Sequence, residues 1–75
     1  MTIENIREIA NKYNANVDHW NPTQGICDIT TAKTTLRLDM HRMTLYEMNT
    51  FAHTIKTATL VYPSSLEGEI RARLK

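Results

Sequence analysis

The sequence predicts a small α+β domain: a helix, a three-stranded antiparallel meander, a second helix and a short C-terminal helix, with the helices packed on one sheet face. Three observations predict it. Apolar residues recur with helical spacing near both ends of the chain, polar and apolar residues alternate in the middle, and Ser or Thr precedes Glu by three positions at two places. Seventy-five residues, 41% apolar and 23% charged, fit one globular domain over residues 1–75.

The chain begins with a predicted helix over residues 2–13. Thr2 is a suitable N-cap, because its hydroxyl can accept a hydrogen bond from an amide of the first turn. The apolar residues of the segment share one helix face. They are Ile3, Ile6, Ile9, Ala10 and Tyr13. A helix with one apolar face needs a sheet or another helix to cover that face.

Three strands are predicted next, at about 16–20, 25–31 and 34–42. Thr and Ile are frequent in the second and third segments, which favours strand. Ala32 and Lys33 lie at the tight connection between these two segments. The three strands therefore form a meander of antiparallel neighbours.

The connection also predicts the register of the second and third strands. Apolar partners then lie opposite each other on one face of the sheet. These pairs are Ile29 with Leu36, Cys27 with Leu38, and Gly25 with Met40. On the other face, Asp28 lies opposite Arg37, a pair of opposite charges that stabilises neighbouring strands. A shift of one residue would turn every apolar side chain to the wrong face.

A second helix is predicted over residues 44–61. The segment opens with Thr44 and Glu47, which have the spacing of a capping box, and Pro63 ends it. Apolar residues and one Thr follow with helical spacing. They are Met48, Phe51, Ala52, Ile55, Ala58, Thr59 and Tyr62.

The last predicted element is a short helix that starts from a second capping box at 64–67. Its apolar stripe consists of Leu66, Ile70 and Leu74. The sheet and the second helix together predict one buried core. Its members are Cys27, Ile29, Leu36, Leu38, Met40, Met48, Phe51 and Ile55.

The polar face of the third strand carries Arg37, Asp39 and His41 at alternate positions. In one interpretation, His41 is a general acid or base that Asp39 orients. In the other, the face is solvated and Arg37 pairs with Asp28. Same-face neighbours on one strand lie roughly 7 Å apart, too far for a firm hydrogen bond between short side chains, which favours the second interpretation.

The potential metal ligands of the chain do not have the spacing of a metal site. They are His19, Cys27, His41 and His53. Zinc sites usually contain ligand pairs two to four residues apart, and every spacing here is longer. Cys27 is placed in the core, where a thiol acts as a small apolar side chain. We therefore expect no catalytic residue, no metal and no cofactor.

Three places in the sequence suggest contact with a protein. The sheet face with Arg37, Asp39 and His41 is not covered by the predicted helices, so it is left to water or to a partner. Trp20 borders a polar loop, where it can either cover the end of the core or anchor a partner.

The back of the predicted second helix presents Tyr46, His53 and Leu60, and Lys56 is the only charged side chain of that helix after its first turn. A solvated helix face normally carries more charge. Either the last helix folds over Leu60 and Val61, or this face is an interface with a foreign protein or with a second copy of the chain.

The charge pattern gives little support to nucleic-acid binding. The formal net charge is +1, whereas nucleic-acid-binding domains usually show a strong basic excess. The C-terminus carries Arg71, Arg73 and Lys75. These residues can contact phosphates, or they can simply complement the dipole of the last helix.

The order of helix, three strands and helix over residues 2–62 resembles, in topology, the double-stranded RNA-binding domain. That family binds phosphates with a lysine cluster at the start of its second helix. The corresponding segment here reads TLYEMNTF, with Glu47 and no lysine before Lys56. The resemblance implies a nucleic-acid-binding module only as the alternative function.

The sequence therefore predicts a small non-catalytic protein that binds a protein partner stoichiometrically. Inhibitors and adaptors encoded by phages and other mobile elements are often motif-free domains of this size. The start MTIENIREIA has no signal-peptide character, and no apolar run approaches the roughly 20 residues that cross a bilayer. With a single cysteine, the expected compartment is the cytoplasm.

Overall fold

A computed structural model describes residues 1–49 and 54–74, which form one five-stranded antiparallel sheet and two helices. The elements are α1 (Ile3–Lys12), β1 (Asn16–Asn21), β2 (Ile26–Thr30), β3 (Thr35–Asp39), β4 (Thr44–Met48), β5 (Ile55–Leu60) and α2 (Leu66–Arg73). The strands lie in the order β1-β2-β3-β4-β5, so each pairs with its neighbour in the chain. Neither helix of these residues is long and apolar enough to cross a membrane.

The predicted three-stranded meander with a helix over 44–61 is wrong, because this segment contributes the strands β4 and β5. Residues 54–61 explain the outcome: five of these eight are the β-branched residues Thr, Ile and Val, which restrict χ1 in a helix and favour a pleated sheet. The expected capping box does not form either. The Thr44 hydroxyl donates to the carbonyl of Arg42, and the Glu47 carboxylate lies 3.5 Å from Lys56 Nζ.

The predicted register of the central hairpin is confirmed. Cys27 pairs with Leu38, Asp28 with Arg37, and Ile29 with Leu36. The strands are shorter than expected, since β3 ends at Asp39 rather than at residue 42. The reason is local: Asp39 Oδ1 accepts hydrogen bonds of 3.0 Å from the amides of His41 and Arg42, which turn the chain.

The core lies between one face of the sheet and both helices. Its fully buried members are Ile6, Cys27, Ile29, Leu36, Leu38, Leu45, Val61, Leu66 and Ile70. The predicted core is therefore correct for β2 and β3. It is wrong at Ile55, which is 57% exposed, while Met48 is only half-buried and Phe51 lies outside the described residues.

The two helices contact each other through Glu67 at the start of α2. Its carboxylate accepts hydrogen bonds from the Tyr13 hydroxyl at 2.8 Å and from Lys12 Nζ at 3.1 Å. The hydrogen bond from Tyr13 has the largest effect, followed by the hydrogen bond from Lys12, and both hold the pKa of Glu67 below its ordinary value. The capping box expected at this helix start is absent, because Ser65 makes no cap bond and its hydroxyl bonds to Tyr62 instead.

Glu67→Gln is expected to destabilise the protein more at neutral than at acid pH. A carboxyl whose pKa is lowered by folding stabilises the folded state above its unfolded pKa, and this contribution disappears as pH falls through the folded pKa. The difference in unfolding free energy between parent and variant should therefore shrink between about pH 7 and pH 3 in urea titrations. Glu8→Gln, an exposed change on α1, is the control, and an equal Glu67→Gln difference at both pH values would contradict the expectation.

Candidate functional site

The candidate site is the sheet face opposite the helices, which we call the open face. Both helices bury their apolar residues against the other face, and side chains alternate along a strand. The strand registers then place fifteen side chains on the open face. They are Asn16, Asp18, Asn21, Ile26, Asp28, Thr30, Thr35, Arg37, Asp39, Thr44, Tyr46, Met48, Ile55, Ala58 and Leu60.

An ion pair lies at the centre of the open face. Arg37 Nε donates to Asp28 Oδ1 at 2.9 Å, and Arg37 Nη2 is 3.4 Å from Asp28 Oδ2. The Asp28 side chain is only 8% exposed, whereas that of Arg37 is 47% exposed. The hydrogen bond from Arg37 to Asp28 and the charge of Asp28 raise the pKa of the guanidinium. The buried Asp28 thus holds the guanidinium of Arg37 in place, while part of the Arg37 side chain remains exposed to solvent.

His19 joins this pair, although its sequence position indicated only a potential metal ligand. Its Nδ1 lies 3.2 Å from Asp28 Oδ2, and its backbone has a φ of 55°, a left-handed conformation that is uncommon for residues other than glycine. The register of β1 with β2 shifts between Asp18 and Asn21, which marks a β-bulge. Bulges often re-aim side chains next to functional sites.

The bulge also places Trp20. In a regular strand His19 would face the core and Trp20 the open face, but the extra residue reverses both. Trp20 is partly buried and packs against the core, so its first interpretation, a cover for the end of the core, fits the structure. A sequence signal for the bulge exists: the two apolar residues Val17 and Trp20 are three positions apart rather than two.

Asp39 and His41 contact each other through the backbone of His41. Asp39 accepts from the backbone amide of His41, not from its ring. The His41 ring lies instead over Gly25, so a Cβ added to Gly25 would come within 2.7 Å of His41 Cδ2. Gly25 also has a φ of +69°, and both constraints require glycine there. The histidine whose ring contacts a buried aspartate is His19, which lies beside Asp28.

The polar face of the third strand and the back of the predicted second helix, which the sequence suggested as two surfaces, contribute to one surface in the structure. Tyr46 does not lie on a helix back but in β4, paired with Arg37 on one side and with Ala58 on the other. Leu60 reaches the same face, because β5 pairs it with Thr44. Arg37, Asp39, Tyr46 and Leu60 thus share the open face. His53 lies outside the described residues.

A concavity of about 350 Å³ opens beside the ion pair. It is lined by His19, Asp28, Thr30, Thr35, Arg37, Met48 and Asn49. Next to it, the Thr30 hydroxyl donates to Asp18 Oδ2 at 2.8 Å. The concavity therefore presents hydroxyls, an imidazole and part of a guanidinium, with carboxylates that already have partners.

The other candidate residues lie away from the open face. Cys27 is fully buried on the core side, and burial raises the pKa of its thiol to about 11, which leaves little nucleophilic thiolate at neutral pH. Arg73 is held by Glu69 and by the Thr59 hydroxyl, Arg71 is exposed, and Lys75 is not described. Within residues 1–49 and 54–74, no three His, Cys, Asp or Glu side chains could hold a metal ion.

Comparisons with protein-family models, with curated proteins and with solved structures find no match to this chain. The topological resemblance to the double-stranded RNA-binding domain also fails, because two strands occupy the place of its second helix.

Proposed function

We propose that the protein is non-catalytic and binds a protein partner stoichiometrically through the open face, as an inhibitor or adaptor does. One observation carries the proposal: Arg37 and Tyr46 lie side by side in register on a sheet face that the helices leave uncovered. Arginine and tyrosine are enriched among the residues that dominate binding energy at protein interfaces.

The ion pair makes Arg37 a better anchor than a free surface arginine. A long side chain loses rotamer freedom when it is fixed in an interface, and this loss weakens binding. Asp28 and its contact with His19 fix the guanidinium before any partner arrives. The open face therefore presents a pre-positioned donor group, next to the aromatic ring of Tyr46 and with the exposed Leu60 at its border.

Nucleic-acid binding has weaker support. The open face carries Asp18, Asp28 and Asp39 beside a single arginine, and carboxylates repel phosphates. Of the C-terminal basic residues, Arg73 already has two partners in the chain. A reducing compartment such as the cytoplasm suits the proposed role, because the single cysteine has no second cysteine to pair with.

Tyr46→Ala is expected to weaken binding of the partner by about 30-fold or more, the loss that corresponds to an interface hot spot of at least 2 kcal/mol. The parent protein is immobilised to capture proteins from cells that naturally produce it, and each captured protein is purified and titrated against parent and variant. Tyr62→Ala is the matched control, because Tyr62 is an exposed tyrosine that follows the sheet. The affinity of the Tyr62→Ala protein for the partner should equal that of the parent.

Two results would overturn this proposal. Equal affinities for the Tyr46→Ala and Tyr62→Ala proteins would show that the open face is not the binding surface. Capture that disappears after nuclease treatment and falls steeply with salt would identify nucleic acid as the ligand, because phosphate contacts release counterions.

A further inference from the structure

The outer edge of β5 is the second unusual surface of the molecule. β5 is the last strand of the sheet, and five of its six residues are exposed. Of the four large apolar side chains that are exposed among the described residues, Ile55, Leu60 and Tyr62 lie in or just after this strand. An uncapped strand edge with apolar neighbours is a template for another strand.

The hydrogen bonds of β4 and β5 show which backbone groups face outward. The amide of Val61 donates to the carbonyl of Met43 at 2.9 Å, so Val61 bonds toward β4. Inward and outward bonding alternate along an antiparallel strand. Thr59 and Thr57 therefore also bond inward, and the N–H and C=O groups of Ala58 and Leu60 point away from the sheet.

The opposite edge of the sheet is better protected. β1 carries the charged Asp18 and the bulge at His19, and charges and bulges are devices that prevent strand pairing. β5 also has an irregularity, between its pairs Glu47–Thr57 and Met48–Ile55, at Lys56. Beyond this point, residues 57–60 contain no charge, proline or glycine. Four residues of β5 thus remain open to pairing.

We propose that β5 pairs with β5 of a second copy of this chain, antiparallel and about a two-fold axis through Ala58. This register follows from the outward groups, because only residues that both point outward can exchange hydrogen bonds. The two Ala58 residues then form the central hydrogen-bonded pair. Thr57 of each copy lies opposite Thr59 of the other, and cross-strand threonine pairs are favourable.

The charge of the strand is compatible with this self-pairing. Lys56 is the only charged residue of β5, and it lies opposite Leu60 of the second copy. The two Lys56 residues are then four strand positions apart, roughly 13 Å, which exceeds the screening distance of about 8 Å at physiological salt.

The dimer would join two five-stranded sheets into one of ten strands. Antiparallel pairing about a two-fold axis keeps both open faces on the same side, since paired residues point to the same face of a sheet. The contact involves about five residues from each chain, well below the 20–30 residues per side of a standard interface. We therefore infer a weak, concentration-dependent dimer.

Light scattering across protein concentrations tests this dimer. The parent mass should rise from 8.7 kDa toward twice that value as concentration increases. Ala58→Lys and Ala58→Glu should each remain monomeric, because two like charges would meet at the axis, and a mixture of the two variants should regain the dimer. Asn11→Lys, an exposed change on α1, should dimerise like the parent, and circular dichroism should show that each variant is folded.

Oxidation of an Ala58→Cys variant gives an independent measurement that leaves the strand nearly unchanged. Hydrogen-bonded antiparallel residues have Cα atoms about 5.5 Å apart, within the range that a disulfide can bridge. Ala58→Cys should therefore cross-link into a covalent dimer, while Asn11→Cys should not. A parent that stays monomeric up to about millimolar concentration would overturn the proposal. So would a charged pair that does not recombine, or equal cross-linking of the two cysteine variants.

Discussion

Leu38→Ala is expected to lower the unfolding free energy by about 2–5 kcal/mol, because it leaves a cavity that the surrounding side chains fill only in part. Leu38 lies in the middle strand, with Cys27 beside it on β2 and Leu45 beside it on β4, and it is 0% exposed. A domain of this length has roughly 4–11 kcal/mol in total. The substitution should therefore unfold a large share of the molecules near body temperature.

Leu60→Ala is the matched control for this experiment, since the same atoms are removed from a side chain that is 68% exposed. Its unfolding free energy should stay within about 0.5 kcal/mol of the parent at concentrations where the parent is monomeric. Urea or thermal unfolding followed by circular dichroism measures both variants. Similar midpoints for the two would mean that the core and open faces have been assigned incorrectly.

Arg37→Ala is expected to destabilise the protein by about 1–3 kcal/mol, because Asp28 stays buried after losing its strongest hydrogen-bond donor. The half-exposed position of Arg37 keeps this value below that of a fully buried ion pair. In the double variant that also carries Asp28→Ala, the loss of unfolding free energy should be smaller than the sum of the losses in the two single variants, because the unpaired charge is then gone. Urea unfolding of the parent, both single variants and the double variant gives the coupling.

Arg42→Ala provides the comparison for Arg37→Ala. Arg42 also lies near an aspartate, at 4.0 Å from Asp39, but its side chain is 80% exposed, and exposed ion pairs contribute little. Its removal should change the unfolding free energy by less than about 1 kcal/mol. If Arg37→Ala lowered the unfolding free energy as little as Arg42→Ala, other partners would satisfy Asp28. The ion pair with Asp28 would then not be what positions Arg37.

The central hairpin could be predicted because its signals are local and agree with one another. Alternation, apolar partners and the Asp28–Arg37 pair all require the same register. The segment at 44–61 gave conflicting signals. Its Thr44 and Glu47 have capping-box spacing and its apolar residues have helical spacing, but the β-branched residues of β5 favour a strand, and the pairing with β3 decided the outcome.

The candidate site was only partly predictable for a different reason. Arg37, Asp39, Tyr46 and Leu60 were chosen from two separate surfaces, and only the true path of β4 and β5 brings them onto one face. His19 could not be assigned to the site by alternation, because a bulge adds one residue to the count and reverses the faces after it. A search for apolar residues three apart in a strand would have found that position.

The neighbour-to-neighbour order of the strands has a consequence for the rate of folding. Each hairpin closes only a short loop, so little chain entropy is lost before the next strand adds, and such topologies fold faster than sheets with distant pairings. The α1–α2 contact joins residues 54 and 55 positions apart. We expect α2 to dock after the main barrier, so losing the Glu67 contacts should speed unfolding and leave the folding rate nearly unchanged. On the ribosome, the whole meander emerges before the segment that completes its core.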